Sequence, residues 1–180
     1  MKCIKKLVAV ALAAVLALAM LTACGGNMAP SGGIVMTESM QKCVDNINAV
    51  RTRNGLSELK INTTAMEMAK RGENLYKQRM DKTITEDDWI KQSYALRNIP
   101  VEGRECRGFI EIPTMSWLPE EWFTEEEWQN MYDERDETSC ATQIVIDPDA
   151  AYIGISVWEE NYKVDDEVDW VDYYLIIYTY

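Results

Sequence analysis

YIGISVW (residues 152–158) and WVDYYLIIYTY (residues 170–180) are the two stretches that decide the fold of this chain. In both, the side chains alternate with a period of two, which is typical of β-strands. In the second stretch the residues on either face are largely apolar or aromatic. This pattern predicts a central strand that is covered on both faces.

Further strands are predicted around these two. The apolar residues 144–146 precede the turn Asp147-Pro148-Asp149 and are predicted to be a short strand. The acidic segment 159–169 is predicted to be the turn between the last two strands, and residues 108–112 to form a weak strand.

The first two thirds of the chain, in contrast, follow a helical period. An apolar stripe predicts a helix over 37–53, and Thr64 with Glu67 resembles the capping box of a second helix that ends near residue 80. A shorter helix is expected after Thr85, and a further one near 120–133. Helices followed by antiparallel strands predict an α+β fold, specifically a three-layer α-β-α sandwich with a mainly antiparallel central sheet.

The N-terminus reads as an export signal. A basic start and an apolar run of 14 residues (7–20) are typical of a signal peptide over 1–23. Residues 21–24 (LTAC) resemble the bacterial lipobox, so Cys24 is predicted to be lipidated and to become the mature N-terminus, with ordinary secretory cleavage after Ala23 as the alternative. Residues 24–36 would then be the lipidated terminus and a flexible linker, which places the domain (37–180) at the extracytoplasmic face of the bacterial membrane.

Charge and composition exclude several functions. The chain has 30 acidic and 18 basic residues, and removing the three leader lysines leaves 30 against 15, a net charge near −15. Such a surface repels nucleic acid, so no nucleic-acid partner is expected. The sequence contains no histidine, which excludes Ser-His-Asp and Cys-His catalysis and every zinc site that needs an imidazole.

Two stretches carry a resemblance to a known family. Residues 47–56 (INAVRTRNGL), followed by Leu59 and an alanine-spaced helix, and residues 145–155 (VIDPDAAYIGI) are similar to the opening and closing motifs of the cysteine-rich secretory, antigen 5 and pathogenesis-related (CAP) superfamily. The resemblance runs in order along the whole domain, and it implies a lipoprotein form of this family with an α-β-α architecture.

The resemblance also implies a cleft, and here the sequence departs from the family. The family cleft holds two histidines and two glutamates that bind a divalent metal, but Ala141 stands near one histidine position and residues 80–82 near the other. Glu105 and Glu125 are the candidate cleft carboxylates, with solvated surface positions as the alternative for each. Two oxygen ligands do not hold zinc or calcium tightly, so no metal or other cofactor is expected.

The resemblance further implies a disulfide between Cys106 and Cys140, since the matching family positions face one cleft. Cys43 belongs to the apolar stripe of the first helix and is expected to remain a buried free thiol. Three reduced thiols are the alternative.

Two further groups of residues give only weak evidence of a functional role. The acidic run 165–172 lacks the spacing of a calcium-binding loop, and a solvated turn explains it better. Four tryptophans (Trp117, Trp122, Trp128 and Trp158) suit either a binding cleft or the core, and the core is the commoner place for such residues.

The sequence therefore predicts a degenerate, non-catalytic CAP-like domain that binds an envelope component, a small apolar ligand or a protein partner. One alternative is a carboxylate-dependent hydrolase of envelope glycan, which needs a converging acidic pair. Another is a purely structural interaction protein, which would expose a large apolar patch.

Overall fold

A computed structural model of the chain describes residues 35–114, 124–165 and 168–180. The predicted signal peptide, the lipidation site Cys24 and most of the linker lie outside the described residues, as do Trp117 and Trp122. The described elements, in chain order, are α1 (Glu38–Arg53), β1 (Lys60–Ile61), α2 (Thr63–Met80), α3 (Glu86–Arg97), β2 (Gly108–Thr114), α4 (Glu125–Glu134), α5 (Cys140–Ile146), β3 (Tyr152–Asp165) and β4 (Val168–Thr179).

Four strands form one mixed sheet in the order β1-β3-β4-β2. The short β1 runs parallel to β3, whereas β4 pairs antiparallel with both β3 and β2. The predicted α+β class and the mainly antiparallel sheet are confirmed. The finer arrangement as a three-layer sandwich stays a prediction.

Strand β4 contributes to two separate apolar clusters. Leu175 and Ile177 belong to a cluster that also contains buried residues of α1, such as Ile47. Their neighbours Tyr174 and Ile176 belong to a second cluster, built with α2 and α3. Because successive side chains of a strand point to opposite faces, both faces of this part of β4 are covered, which confirms the central strand predicted from residues 170–180.

The helix boundaries follow local capping chemistry. Thr37 caps α1, its hydroxyl accepting from the Met40 N–H at 3.2 Å, and the helix ends before Gly55, whose φ of 78° suits glycine. The predicted capping box at Thr64 is wrong. Asn62 caps α2 instead, because its side-chain oxygen accepts from the N–H groups of Thr64 and Ala65. The capping box of Thr124 at the start of α4 is confirmed.

Two predicted elements differ from the structure. Residues 144–146, predicted as a strand, end helix α5, which Ser139 caps by accepting from the Thr142 N–H at 3.4 Å. The acidic segment 159–169, predicted as a turn, is mostly strand, because β3 and β4 stay paired from Glu159 opposite Tyr173 to Asp165 opposite Val168. An antiparallel ladder is formed by backbone hydrogen bonds, so the acidic composition did not end it.

A buried arginine connects the two stretches that carry the family resemblance. Arg51 on α1 is fully buried, and its guanidinium donates to the carbonyls of Ile144 and Asp147 at 3.0 Å, of Ala150 at 3.3 Å and of Ser57 at 2.9 Å. These carbonyls include the end of α5, where a helix leaves acceptors unsatisfied. Burial lowers the pKa of Arg51, and the nearby Asp147 carboxylate opposes that shift.

Asn48, one turn earlier on α1, has a related role. Its side-chain amide donates to the Leu59 carbonyl at 3.0 Å and accepts from the Leu59 N–H at 2.8 Å. Gly154 of β3 packs so closely on α2 that an added Cβ would lie 1.9 Å from the Ala65 carbonyl oxygen. Residues of both stretches therefore fix how the helices meet the sheet.

A buried carboxylate lies between α2 and β3. Glu73 is 2 % exposed and accepts from Lys70 at 2.6 Å, from Lys77 at 2.9 Å and from the Ser156 hydroxyl. Burial raises the pKa of Glu73, but the hydrogen bonds from these three partners outweigh burial and hold the pKa below its ordinary value. The ionised form of Glu73 thus belongs to the folded state.

Candidate functional site

The candidate site is a cavity of about 430 Å³ between α3, β2 and the first turn of α5. This volume lies in the range of small-molecule sites, and most of the wall is apolar or aromatic. Ala141, near which the family resemblance places a histidine position, forms part of the wall. The lining residues are Trp89, Ile90, Ser93, Tyr94, Arg97, Phe109, Ile110, Glu111 and Ala141.

Local structure explains how the wall is assembled. Thr85 caps α3 by accepting from the Asp88 N–H at 3.1 Å, which starts the helix so that residues 90, 93, 94 and 97 share one face at spacings of three and four. On β2, Phe109 and Glu111 are two residues apart and so point to the same face of the sheet. The helix face and the strand face meet at the cavity.

One charge pair lies in this wall. The Arg97 Nε and the Glu111 Oε1 are 3.9 Å apart, and the two side chains are 12 % and 8 % exposed. The Arg97 guanidinium also lies 4.4 Å from the ring centroid of Tyr94 and 3.9 Å from that of Phe109. Two aromatic rings and one carboxylate therefore hold the cation in place.

Glu111 has a further partner on β4. The Tyr178 hydroxyl donates to the Glu111 Oε1 at 2.5 Å. Burial, and then the Glu111 carboxylate, raise the pKa of Tyr178 far above its ordinary value, so the hydroxyl remains a proton donor at any physiological pH. Glu111 is thus held from one side by Tyr178 and from the other by Arg97.

The two carboxylates predicted from the sequence lie elsewhere. Glu105 is exposed and lines a smaller pocket of about 160 Å³ together with Arg107 and Asp149. Glu125 is the first residue of α4 and forms an ion pair with Arg53 of α1. Neither carboxylate lines the cavity at Ala141.

The three cysteines within the described residues are free thiols: Cys43 is buried, Cys106 is half-buried and Cys140 is exposed. Burial raises the pKa of Cys106 to about 12, and Arg97, Glu111 and Cys140 are close enough to influence it. The predicted bond between Cys106 and Cys140 is therefore not formed here, and it stays a prediction for the exported protein.

Two of the four tryptophans considered in the sequence, Trp128 and Trp158, belong to the apolar clusters. Trp128 is 2 % exposed in the core, and Trp158 stacks on Tyr174 with ring centroids 4.9 Å apart. Trp89 is the tryptophan of the cavity wall. No functional role was predicted for it from the sequence.

The residues present do not fit the divalent metal that the family resemblance implies. Ala141 offers no ligand, and the cavity has a single carboxylate, Glu111, whereas zinc needs about four ligands and calcium six or more. Across the described ranges, no group of three or more acidic or thiol side chains is arranged to hold a metal ion.

Sequence reasoning missed Arg97, Glu111 and Tyr94. One signal was present: Glu111 is the charged residue between Ile110 and Ile112 in a predicted strand. A charge in such a position is costly unless it is paired, and this points to a partner across the structure. Arg97 could not have been identified as that partner from spacing alone.

Comparison of the chain with protein-family models, curated proteins and solved structures gives no match. Among the helices of the described residues, none has the length and apolar character needed to cross a membrane.

Proposed function

We propose that this chain is a lipoprotein of the extracytoplasmic face of the bacterial membrane, anchored through Cys24, whose domain is a non-catalytic CAP-like module. The domain binds a small ligand in the cavity at Ala141. The observation that carries this proposal is the cavity wall itself, which is apolar and aromatic except for Ser93 and the nearly buried Arg97–Glu111 pair. Such a wall suits recognition of a small molecule with an apolar body and a polar group.

The contacts of Arg51 support the CAP-like assignment. Residues 47–56 and 145–155 are the two stretches that carry the resemblance, and Arg51 of the first donates to the carbonyls of Asp147 and Ala150 in the second. A shared structural role gives both motifs a physical reason to occur together.

The distribution of carboxylates favours binding over hydrolysis. A glycoside hydrolase of the usual kind needs two carboxyl groups about 5 to 9 Å apart on either side of the scissile bond. The cavity has one, Glu111, and Arg97 neutralises it. Glu105 and Glu125 line no part of this cavity.

The exposed apolar residues favour a cavity over a flat interaction surface. Ile90 and Tyr94, which are 41 % and 61 % exposed, are both on α3 and both line the cavity. Their exposure is therefore explained as the rim of a binding site.

Titration with the fluorescent probe 1-anilino-8-naphthalenesulfonate tests the proposal. Filling the cavity with Ala141→Leu should weaken probe binding at least about tenfold, since a side chain would occupy the space of the ligand. The matched control is Ala95→Leu, on the α3 face that lines a different groove with Leu75 and Gln92. Equal probe affinity in the wild-type protein and in both variants would refute the cavity as the binding site.

A further inference from the structure

The cavity presents one positive and one negative group side by side. The Arg97 and Glu111 side chains are both nearly buried, yet the distance of 3.9 Å between Arg97 Nε and Glu111 Oε1 is too long for a hydrogen bond. The pair is therefore an electrostatic contact whose hydrogen-bonding groups are still available.

Each member of the pair keeps unused capacity. A guanidinium has five N–H donors. Within the described part of the chain Arg97 donates no hydrogen bond, and its contacts are the Glu111 carboxylate and the rings of Tyr94 and Phe109. A carboxylate can accept about four hydrogen bonds, whereas Glu111 accepts one, from Tyr178. Among the described residues, neither Arg97 nor Glu111 has a fully buried atom that lacks a hydrogen-bond partner, so their unused donors and acceptors reach the solvent of the cavity and can bind a ligand there.

We propose that the occupant of this cavity is a free α-amino acid with an apolar side chain, an inference that rests on the function proposed above. The ligand carboxylate accepts from the edge of Arg97, and its ammonium group donates to Glu111. The apolar side chain lies against Trp89 and Ile90, on the apolar part of the wall.

Charge balance selects this class over ligands with one charge. A lone anion at Arg97 would lie beside the Glu111 carboxylate, and a lone cation at Glu111 would lie beside the guanidinium. A zwitterion carries both charges a few ångströms apart and matches both partners. The cavity of about 430 Å³ is near the lower end of ligand sites, which suits a molecule as small as an amino acid.

The test is calorimetry with three probes that share one apolar body: phenylalanine, 3-phenylpropionate, which lacks the ammonium group, and phenethylamine, which lacks the carboxylate. Phenylalanine should bind at least about tenfold more tightly than either analogue, because each analogue leaves one charged group without its partner. Arg97→Gln should abolish the preference for phenylalanine over phenethylamine. Glu111→Gln should abolish the preference over 3-phenylpropionate.

Arg79→Gln is the matched control. Like Arg97, Arg79 lies near an aromatic ring of the cavity wall, with its guanidinium 4.4 Å from the ring centroid of Trp89, but Arg79 does not line the cavity. It should leave all three affinities unchanged. Thermal unfolding of each variant checks that it folds, and if either cavity variant fails to fold, the three-probe series on the wild-type protein decides alone.

The failures of the two proposals are distinguishable. Equal affinities for the three probes, or a tighter analogue, would overturn the amino-acid assignment and leave the cavity as a ligand site. Absence of binding by all three probes, while Ala141→Leu still weakens the naphthalenesulfonate probe, would also overturn only the amino-acid assignment. Absence of binding together with no effect of Ala141→Leu would overturn both.

Discussion

Replacing Arg51 by alanine should remove a large part of the stability of the domain. Arg51 is fully buried and donates to four backbone carbonyls, of Ser57, Ile144, Asp147 and Ala150. Its loss leaves these acceptors without a hydrogen-bond donor, creates a cavity and removes a cation near the Asp147 carboxylate. Breaking a buried charged network of this kind costs about 3–5 kcal/mol, against a typical total of about 5–15 kcal/mol for a domain.

Two further variants sharpen this test. Arg51→Lys keeps the charge, but a single ammonium group cannot reproduce the fork that reaches carbonyls on two sides, so a loss of about 1–3 kcal/mol is expected. Arg53→Ala, two residues away, removes an exposed ion pair with Glu125 and an exposed hydrogen bond to the Gln129 side-chain oxygen at 3.3 Å, for which less than about 1 kcal/mol is expected. Urea unfolding followed by circular dichroism measures all three. An Arg51→Ala variant within about 1 kcal/mol of the wild type would refute the account of Arg51 as the connection between α1 and α5.

The other predictions concern acid stability, covalent modification and metal. The folded-state pKa of Glu73 lies below its unfolded value of about 4.3, so its contribution to stability is present above that pH and is lost as the pH falls through the folded pKa. Glu73→Gln should therefore make the free energy of unfolding fall less steeply with decreasing pH in the acid range. An unchanged pH dependence there would contradict this. Alkylation of the exported protein without reduction should leave Cys106 and Cys140 unlabelled, their bond closing a loop of about 34 residues and adding about 3–4 kcal/mol; labelling of both would refute the bond. Intact-mass measurement of membrane-extracted protein should give a chain that begins at an acylated Cys24, and a free Cys24 thiol there would exclude lipidation. Calorimetry with zinc should give no stoichiometric site, whereas micromolar binding at one site would mean that the cavity ligands were misidentified.

The helices were predictable because their signals are local. The apolar stripe of α1 recurs at three and four residues, and Thr37, Thr85 and Thr124 are caps of the preferred types. The strand prediction for residues 144–146 was wrong because three β-branched residues are too few to define a period. The helix start at Ser139, which caps α5, was not predicted either. The turn prediction for residues 159–169 was wrong for a different reason, because the pairing of β3 with β4 is set by strand register and not by local composition.

The site was predictable only in part. The family resemblance implied a cleft position near Ala141, and Ala141 lines the cavity, but the identity of this cavity with the family cleft stays a prediction. Glu105 was a loose match, and it lies in an exposed segment six residues before Glu111, the carboxylate that the cavity contains. The Arg97–Glu111 pair depends on the packing of α3 against β2, a long-range contact that spacing in the sequence does not encode.

Alanine-methyl NMR of the protein titrated with phenylalanine, 3-phenylpropionate and phenethylamine tests the central claim most directly, since it reports where a ligand binds. The account predicts that the Ala141 methyl resonance shifts with at least one of the three and saturates, while the Ala95 methyl resonance, on the other side of α3, does not move. An Ala141 resonance that stays unchanged with all three probes and also with the naphthalenesulfonate probe, or shifts at Ala95 as large as those at Ala141, would contradict the cavity as the ligand site.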